Sequence, residues 1–346
     1  TEGDLPFDIF AAIFFLLTRY EEYLPNSKDE YGRYAHTNAL AYKEGFLQQP
    51  AINMWLEELR RLFNEKETDC AIQKQHFQFI ATYDIDMAWS YKNKGFKRNA
   101  GAFAKHLIEG QFRQIISRIR VLTNKQPDPF DSFEWMHSLH QQYGLQPLYF
   151  FLVAQQTGKY DKNISVQNGA FQQLVHSIAA NNKIGLHPSW QSGDMPMLIK
   201  KEKNVLETLS NKTIVHSRQH YIRFTLPHTY RYLMDAGIQH DYSMGYGTIN
   251  GFRASIATPF YWYDLNKEEK TNLLVHPFCF MEGNSFYIQK FTAAQALEEL
   301  LYFKNIIQSV NGTMYTIWHN SSLGTDPQFA GWREVYEQFI ASIKNV

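Results

Sequence analysis

From Gln75 onward the chain alternates short apolar, β-branched or aromatic runs with stretches of ten or more residues that carry helical periodicity. Such a rhythm reads as βα units. The expected strands are His76–Tyr83, Pro147–Val153, Lys183–Leu186, Thr213–His216, Ile238–Tyr242, Asn272–Pro277 and Thr313–Trp318, about seven in all. Expected helices between them are Ser132–Tyr143, closed by Gly144, then Ala170–Asn181, Met197–Leu209, His228–Ala236, closed by Gly237, and Ala293–Val310. Strands joined by helical crossovers run parallel, so the fold class is α/β, either a barrel or a doubly wound sheet.

The first 70 residues have a different character. A helical run from Asp8 to about Tyr23, a polar turn at Pro25–Glu30 and an amphipathic run Ile52–Phe63 read as an N-terminal helical unit. The expected division is a mainly helical extension over 1–74 and a βα domain over 75–346. The most apolar stretch, Phe7–Leu17, falls short of the roughly 20 residues of a membrane span and contains Asp8, so it reads as a buried helix. The chain starts at Thr1 without an initiator Met and is expected to be a processed or truncated piece. Trp89–Pro129 breaks the rhythm with Lys92, Lys94, Lys97, Arg98, Lys105, Arg113, Arg118 and Arg120. It reads as an inserted helical excursion with a solvated basic face, able also to line a groove for a long substrate.

Hydrophobic residues are 44% of the 346, which supports a folded core. Lys+Arg and Asp+Glu are both 34, so there is no long-range positive field for nucleic acid, and any polyanion site must be local. Cys70 and Cys279 permit at most one disulfide and exclude a cysteine-ligated zinc module. The compartment stays open, extracytoplasmic or cytoplasmic.

In βα folds reactive groups gather past the C-terminal ends of the strands. Four strand ends carry suitable residues. At Thr82-Tyr83-Asp84-Ile85-Asp86, two carboxylates two residues apart project to one side, where one can ligate a cation and the other stay free as a base. The alternative is a helix cap or a solvated turn. Gly185-Leu186-His187-Pro188 offers an imidazole suited to zinc, or a hydrogen-bonded structural histidine. His216-Ser217-Arg218-Gln219-His220-Tyr221 places two histidines around an arginine able to hold a carboxylate, or to make a rim salt bridge. Ile317-Trp318-His319 pairs a ring that can stack on a sugar with an imidazole that can move a proton, or is core edge. Gly-x-Ser-x-Gly, a phosphate loop, a dinucleotide fingerprint and His-Glu-x-x-His are all missing.

In order, these strand ends resemble the polysaccharide deacetylase superfamily, the family-four carbohydrate esterase type. The resemblance is to a bacterial branch with a helical N-terminal extension, here including FDIFAAIFFLLTRYEEYL and KEGFLQQP. It spans roughly Gln75 to the C-terminus. The first motif implies Asp84 as base and Asp86 as metal ligand. The family's His-x-x-x-His matches at His187, with Gln191 at the second position; the resemblance then implies His220, or failing that His216, as the remaining ligand. Arg218 matches the arginine that orients the base, and His319 the general acid. Gly251-Phe252-Arg253 with Pro259-Phe260 implies a loop closing over the site, with Arg253 near the substrate or fixing Asp84. The implied fold is a distorted (β/α) barrel of about seven strands. The implied reaction is hydrolysis of an N- or O-acetyl group on a sugar or polysaccharide, aided by a divalent ion, zinc before cobalt, manganese, nickel or iron. Trp190, Trp318 and Tyr221 are expected to contact the sugar. Two other readings stay open: a degenerate member that binds glycan without hydrolysis, prompted by Gln191, and amide hydrolysis on a non-sugar.

Overall fold

The structure, a computed structural model, describes residues 5–66 and 75–344. The expected boundary after residue 74 and Cys70 lie outside the described residues; Cys279 is a buried free thiol. Among the described residues nine strands form one sheet: β1 Gln78–Ile85, β2 Leu148–Leu152, β3 Lys183–His187, β4 His216–Ser217, β5 His240–Asp241, β6 Phe260–Asp264, β7 Glu269–Val275, β8 Phe280–Met281 and β9 Thr313–His319. Their order is β6-β7-β5-β4-β3-β2-β1-β9-β8. All neighbours are parallel except the β6–β7 hairpin. The end strands β6 and β8 are not hydrogen-bonded to each other, so the sheet forms a distorted, unclosed (β/α) barrel.

The all-buried LYFFL of β2 shows why a continuous apolar run signals a strand covered on both faces. β6 and β8 are additional to the seven expected strands. β6 alternates between buried and exposed side chains at the sheet edge, and β8 is too short to carry a pattern. Residues 250–257, expected to close over the site, are a buried irregular segment ahead of β6 that is fastened to the N-terminal unit and does not line the cavity described below.

The expected helix Asp8–Tyr23 stops at Leu17, because Arg19 adopts a left-handed φ of 58°. A second long helix, Ala51–Lys66, covers the expected amphipathic run. The N-terminal unit is stitched to the barrel segment 245–258. Ile52 N–H donates to the Ser255 carbonyl (2.9 Å), and Phe252 N–H to the Leu47 carbonyl (2.8 Å). Gly251 has φ +148°, and a Cβ there would stand 2.8 Å from the Leu47 oxygen, so this approach requires glycine. No helix among the described residues is long and apolar enough to cross a membrane.

Candidate active site

The parallel register sets Asp84 of β1 beside His319 of β9 and Phe150 of β2, at the C-terminal edge of the sheet. Asp84 is buried, and Arg218, just past β4, is fully buried against it. The guanidinium donates Nη1–H to Asp84 Oδ1 (2.8 Å), Nη2–H to Thr82 Oγ1 (2.7 Å) and Nε–H to the Tyr242 carbonyl (3.1 Å). It also lies 4.4 Å over the Phe150 ring. Each buried charge is thereby paired, and Asp84 is held in one orientation.

Asp86 stands beyond the strand end with about a third of its side chain exposed, 35%. Its Oδ1 lies 3.2 Å from His187 Nε2 and its Oδ2 lies 3.4 Å from His220 Nε2. Ligand atoms of Asp86, His187 and His220 all fall within 4.8 Å of one another. Both imidazoles are turned by their other nitrogen. His187 Nδ1 meets the Arg218 carbonyl at 2.5 Å, and His220 Nδ1 meets Asp161 Oδ1 at 3.0 Å. The Nε2 atoms therefore face Asp86, the arrangement by which outer partners orient metal-binding histidines. Asp86 Oδ1 is buried with no hydrogen-bond partner. One carboxylate and two imidazoles around an orphaned oxygen fit a divalent ion of the zinc type with an open position.

The electrostatics agree. Burial alone would lower the His220 pKa, but Asp86 and Asp161 raise it to about 9. Burial likewise opposes a charged His319, while Glu282 and Asp86 raise that imidazole to about 10. A field that favours imidazolium favours any cation placed there. His319 Nδ1 meets Glu282 Oε1 at 2.7 Å, and its Nε2 lies 3.6 Å from Asp86 Oδ2.

Gln191 has a different task from the histidine it replaces in the motif. Its amide donates to Asp161 Oδ2 (3.1 Å) and to the Gln156 carbonyl (2.9 Å), so it braces the carboxylate that holds His220. His216 lies elsewhere, its ring stacked on His240 at 4.6 Å.

Three expected site residues are not brought to the cluster: Arg253, Trp318 and Trp190. Arg253 is buried and gives Nε–H and Nη2–H to Glu22 of the N-terminal unit (2.8 and 2.6 Å), so it neither fixes Asp84 nor reaches a substrate. Trp318 is fully buried, packed on Tyr336 at 4.7 Å, because the side chain preceding His319 on β9 points to the opposite face. It offers no platform for a sugar. Trp190 is half-buried and stacks on Tyr160 (4.1 Å) and under Arg223 (4.3 Å), behind Tyr221.

Asp84, Asp86, His187, His220 and His319 open into a cavity of about 560 Å³. Its walls include Tyr221, Tyr287 and, from the N-terminal unit, Tyr31 and Arg33. A second lobe of about 290 Å³ shares Asp86, His220, Tyr221 and His319. Arg33 donates Nη1–H to the Tyr221 carbonyl (2.7 Å), bracing a turn in which Tyr221 and Ile222 are both left-handed, with φ 59° and 55°. Sequence reasoning did not find Asp161, Glu282, Tyr31 or Arg33. Asp161, Tyr31 and Arg33 end no apolar run; Glu282 does follow the apolar Phe278-Cys279-Phe280-Met281, but the strand there, β8, has only two residues and gives no strand-length signal.

Residues 1–68 match a family model described as a family of unknown function, DUF7033. No curated protein matches the chain. The chain is similar to a solved structure described as a polysaccharide deacetylase from Mycobacterium smegmatis, at 13% identity over 79% of this chain and 85% of that one, with a TM-score of 0.48. It is also similar to an allantoinase at 10% identity, over 78% of this chain and 84% of that one, with a TM-score of 0.46. A family-four pseudoenzyme from Bacillus anthracis is similar at 8% identity, over 79% of this chain and 62% of that one, with a TM-score of 0.38.

Proposed function

We propose that this protein is a metal-dependent hydrolase that removes acetyl groups from a sugar or polysaccharide. One observation carries the reading: an arginine-held carboxylate, an Asp-His-His cradle and a carboxylate-backed histidine converge on one tyrosine-walled cavity. Asp86, His187 and His220 would hold the ion. When bound, a divalent ion there supplies polarisation of the acyl carbonyl and a more acidic water.

The chain's own groups supply the rest. Arg218 occupies Asp84 Oδ1, leaving Oδ2 to accept the proton of the attacking water. His319 keeps one N–H on Glu282 and presents Nε2–H to the leaving nitrogen or oxygen, which departs protonated. Water attack on the acyl carbon and cleavage of its bond to the sugar nitrogen or oxygen yield acetate and the free amine or alcohol. Tyr31 and Tyr221 give half-buried rings, and Tyr287 an exposed one, against which a sugar can lie, and the two lobes together suit a ligand larger than a single acetyl group.

The test combines elemental analysis with acetate release from a panel of acetylated glycans. Wild type is expected to carry near-stoichiometric metal and to release acetate. Asp84→Asn should retain metal and lose turnover, whereas Asp86→Ala and His220→Ala should lose metal. Equal activity of wild type and Asp84→Asn sinks the assignment. A metal-free wild type that binds oligosaccharides and refuses added zinc, cobalt or manganese makes it a glycan-binding protein instead.

A further inference from the structure

The chain is neutral overall, with 34 basic and 34 acidic residues, yet residues 92–125 carry nine lysines and arginines against one carboxylate, Glu109. This is the local excess that a neutral chain needs to meet an anionic surface. The segment folds as two helices, Gly95–Ile108 and Phe112–Leu122, joined by a turn at 109–111. The first helix contains no buried residue, so core packing does not account for it.

Both helices expose apolar stripes. Phe96, Phe103 and Leu107 are spaced i, i+7, i+11, which helical geometry puts within roughly 20° of one line. Phe112, Ile116 and Ile119 repeat this on the second helix at i, i+4, i+7. Exposure is high for such residues: 87% at Phe96, 54% at Leu107 and 62% at Phe112. Arg113 and Arg120 lie roughly a quarter turn from the second stripe, and Lys97 likewise from the first. The second helix buries Ile115, Arg118 and Val121 instead, and Arg118 donates to Asn99 Oδ1 of the first (2.6 Å), so the pair is fastened while its apolar stripes stay open.

We propose that the helical hairpin 95–122 docks the protein on an anionic lipid surface. The apolar stripes sink among the headgroups and the flanking cations pair with lipid phosphates. An extended polyanion such as nucleic acid would use the cations and leave the phenylalanine, leucine and isoleucine stripes in water. A bilayer interface takes both. Docking there also has a consequence for the site. Arg98 ties the hairpin to the carbonyls of Lys162 and Asn163 (2.9 and 3.0 Å), and Lys162 lines the outer lobe of the cavity. The hairpin thus holds the cavity mouth close to the surface on which it lies.

The test is cosedimentation of the full chain with vesicles of phosphatidylcholine alone or with 30% phosphatidylglycerol, a composition of roughly physiological negative charge. Binding to the anionic vesicles is expected, at least about tenfold over the neutral ones, and is expected to weaken with salt. The triple variant Phe96→Asp/Leu107→Asp/Phe112→Asp should lose about tenfold or more with an unchanged thermal melt, and Arg113→Glu/Arg120→Glu should lose the preference for anionic lipid. In a Phe112→Trp variant, anionic vesicles should shift tryptophan emission to the blue relative to the same vesicles with wild type. Equal binding to both vesicle types, or undiminished binding by the triple variant, overturns the proposal. So does a wild-type dimer that the triple variant dissolves, which would make the stripes a contact between copies. Binding to single-stranded DNA but not to vesicles would assign the cations to an anionic polymer and also overturn it.

Discussion

Glu22 is the residue through which the N-terminal unit is bonded electrostatically to the barrel, and replacing it should be costly. Its carboxylate accepts Nε–H and Nη2–H from Arg253 (2.8 and 2.6 Å) and Nε–H from Arg19 (2.8 Å), with all three side chains buried. Burial alone would raise the Glu22 pKa. The two guanidiniums overcome it and lower the pKa from 4.5 to about 2. At about 1.4 kcal/mol per unit, that gap corresponds to roughly 3 kcal/mol of native-state stabilisation. A second route gives a similar figure, since removing one partner of a buried ion pair typically costs about 3–5 kcal/mol. Glu22→Gln keeps the shape and removes the charge, so urea unfolding at pH 7 should show a loss of roughly 3 kcal/mol. The folded pKa lies below the unfolded one. The stabilisation is therefore complete above pH 4.5 and disappears as pH falls through 2, so the gap between wild type and variant should narrow over that interval. A gap under about 1 kcal/mol at pH 7, or one indifferent to acidification, would mean that the Glu22 charge does not hold the two units together.

Three further outcomes are expected. Asp161→Asn removes the carboxylate behind His220 and should weaken zinc binding about 10- to 100-fold in a chelator competition, with unchanged affinity refuting its role. Tyr31→Ala should raise KM for an acetylated oligosaccharide about fivefold, worth roughly 1 kcal/mol, while leaving kcat and KM for a small aryl acetate alone. An equal rise for both substrates would remove Tyr31 from sugar contact. At Gly324 a Cβ would meet the Pro129 carbonyl oxygen at 1.9 Å. Because that neighbour is backbone, Gly324→Ala should lower stability by about 1–3 kcal/mol in denaturant unfolding, and a neutral result would show that the 129–130 loop yields freely.

Much of this architecture can be read from local pattern. Seven strands betray themselves by apolar runs, and Gly144 marks a helix end because its left-handed φ of 65° suits glycine. Filtering strand ends for polar side chains selects Asp84, Asp86, His187, Arg218, His220 and His319, all of which meet at one edge of the sheet. The filter works because parallel strands finish together, so a residue's place at the end of its own run predicts its neighbours across the sheet.

Two other readings do not hold in the structure: Trp318, picked at a strand end, and Arg253, implied by the family resemblance. Trp318 sits next to a cavity histidine in sequence, yet alternation along β9 turns it into the core. Arg253 looks free for a substrate until Glu22, 231 residues earlier, is brought against it. Sequence alone determines the α/β class, the helical start and the polar strand ends, because each is written in the periodicity of a short segment. Tertiary structure decides that His220 rather than His216 faces Asp86, that Gln191 braces Asp161, that Glu282 backs His319, and that Tyr31 and Arg33 wall the cavity. Those relations join residues far apart in the chain, and packing, not local propensity, brings them within bonding distance.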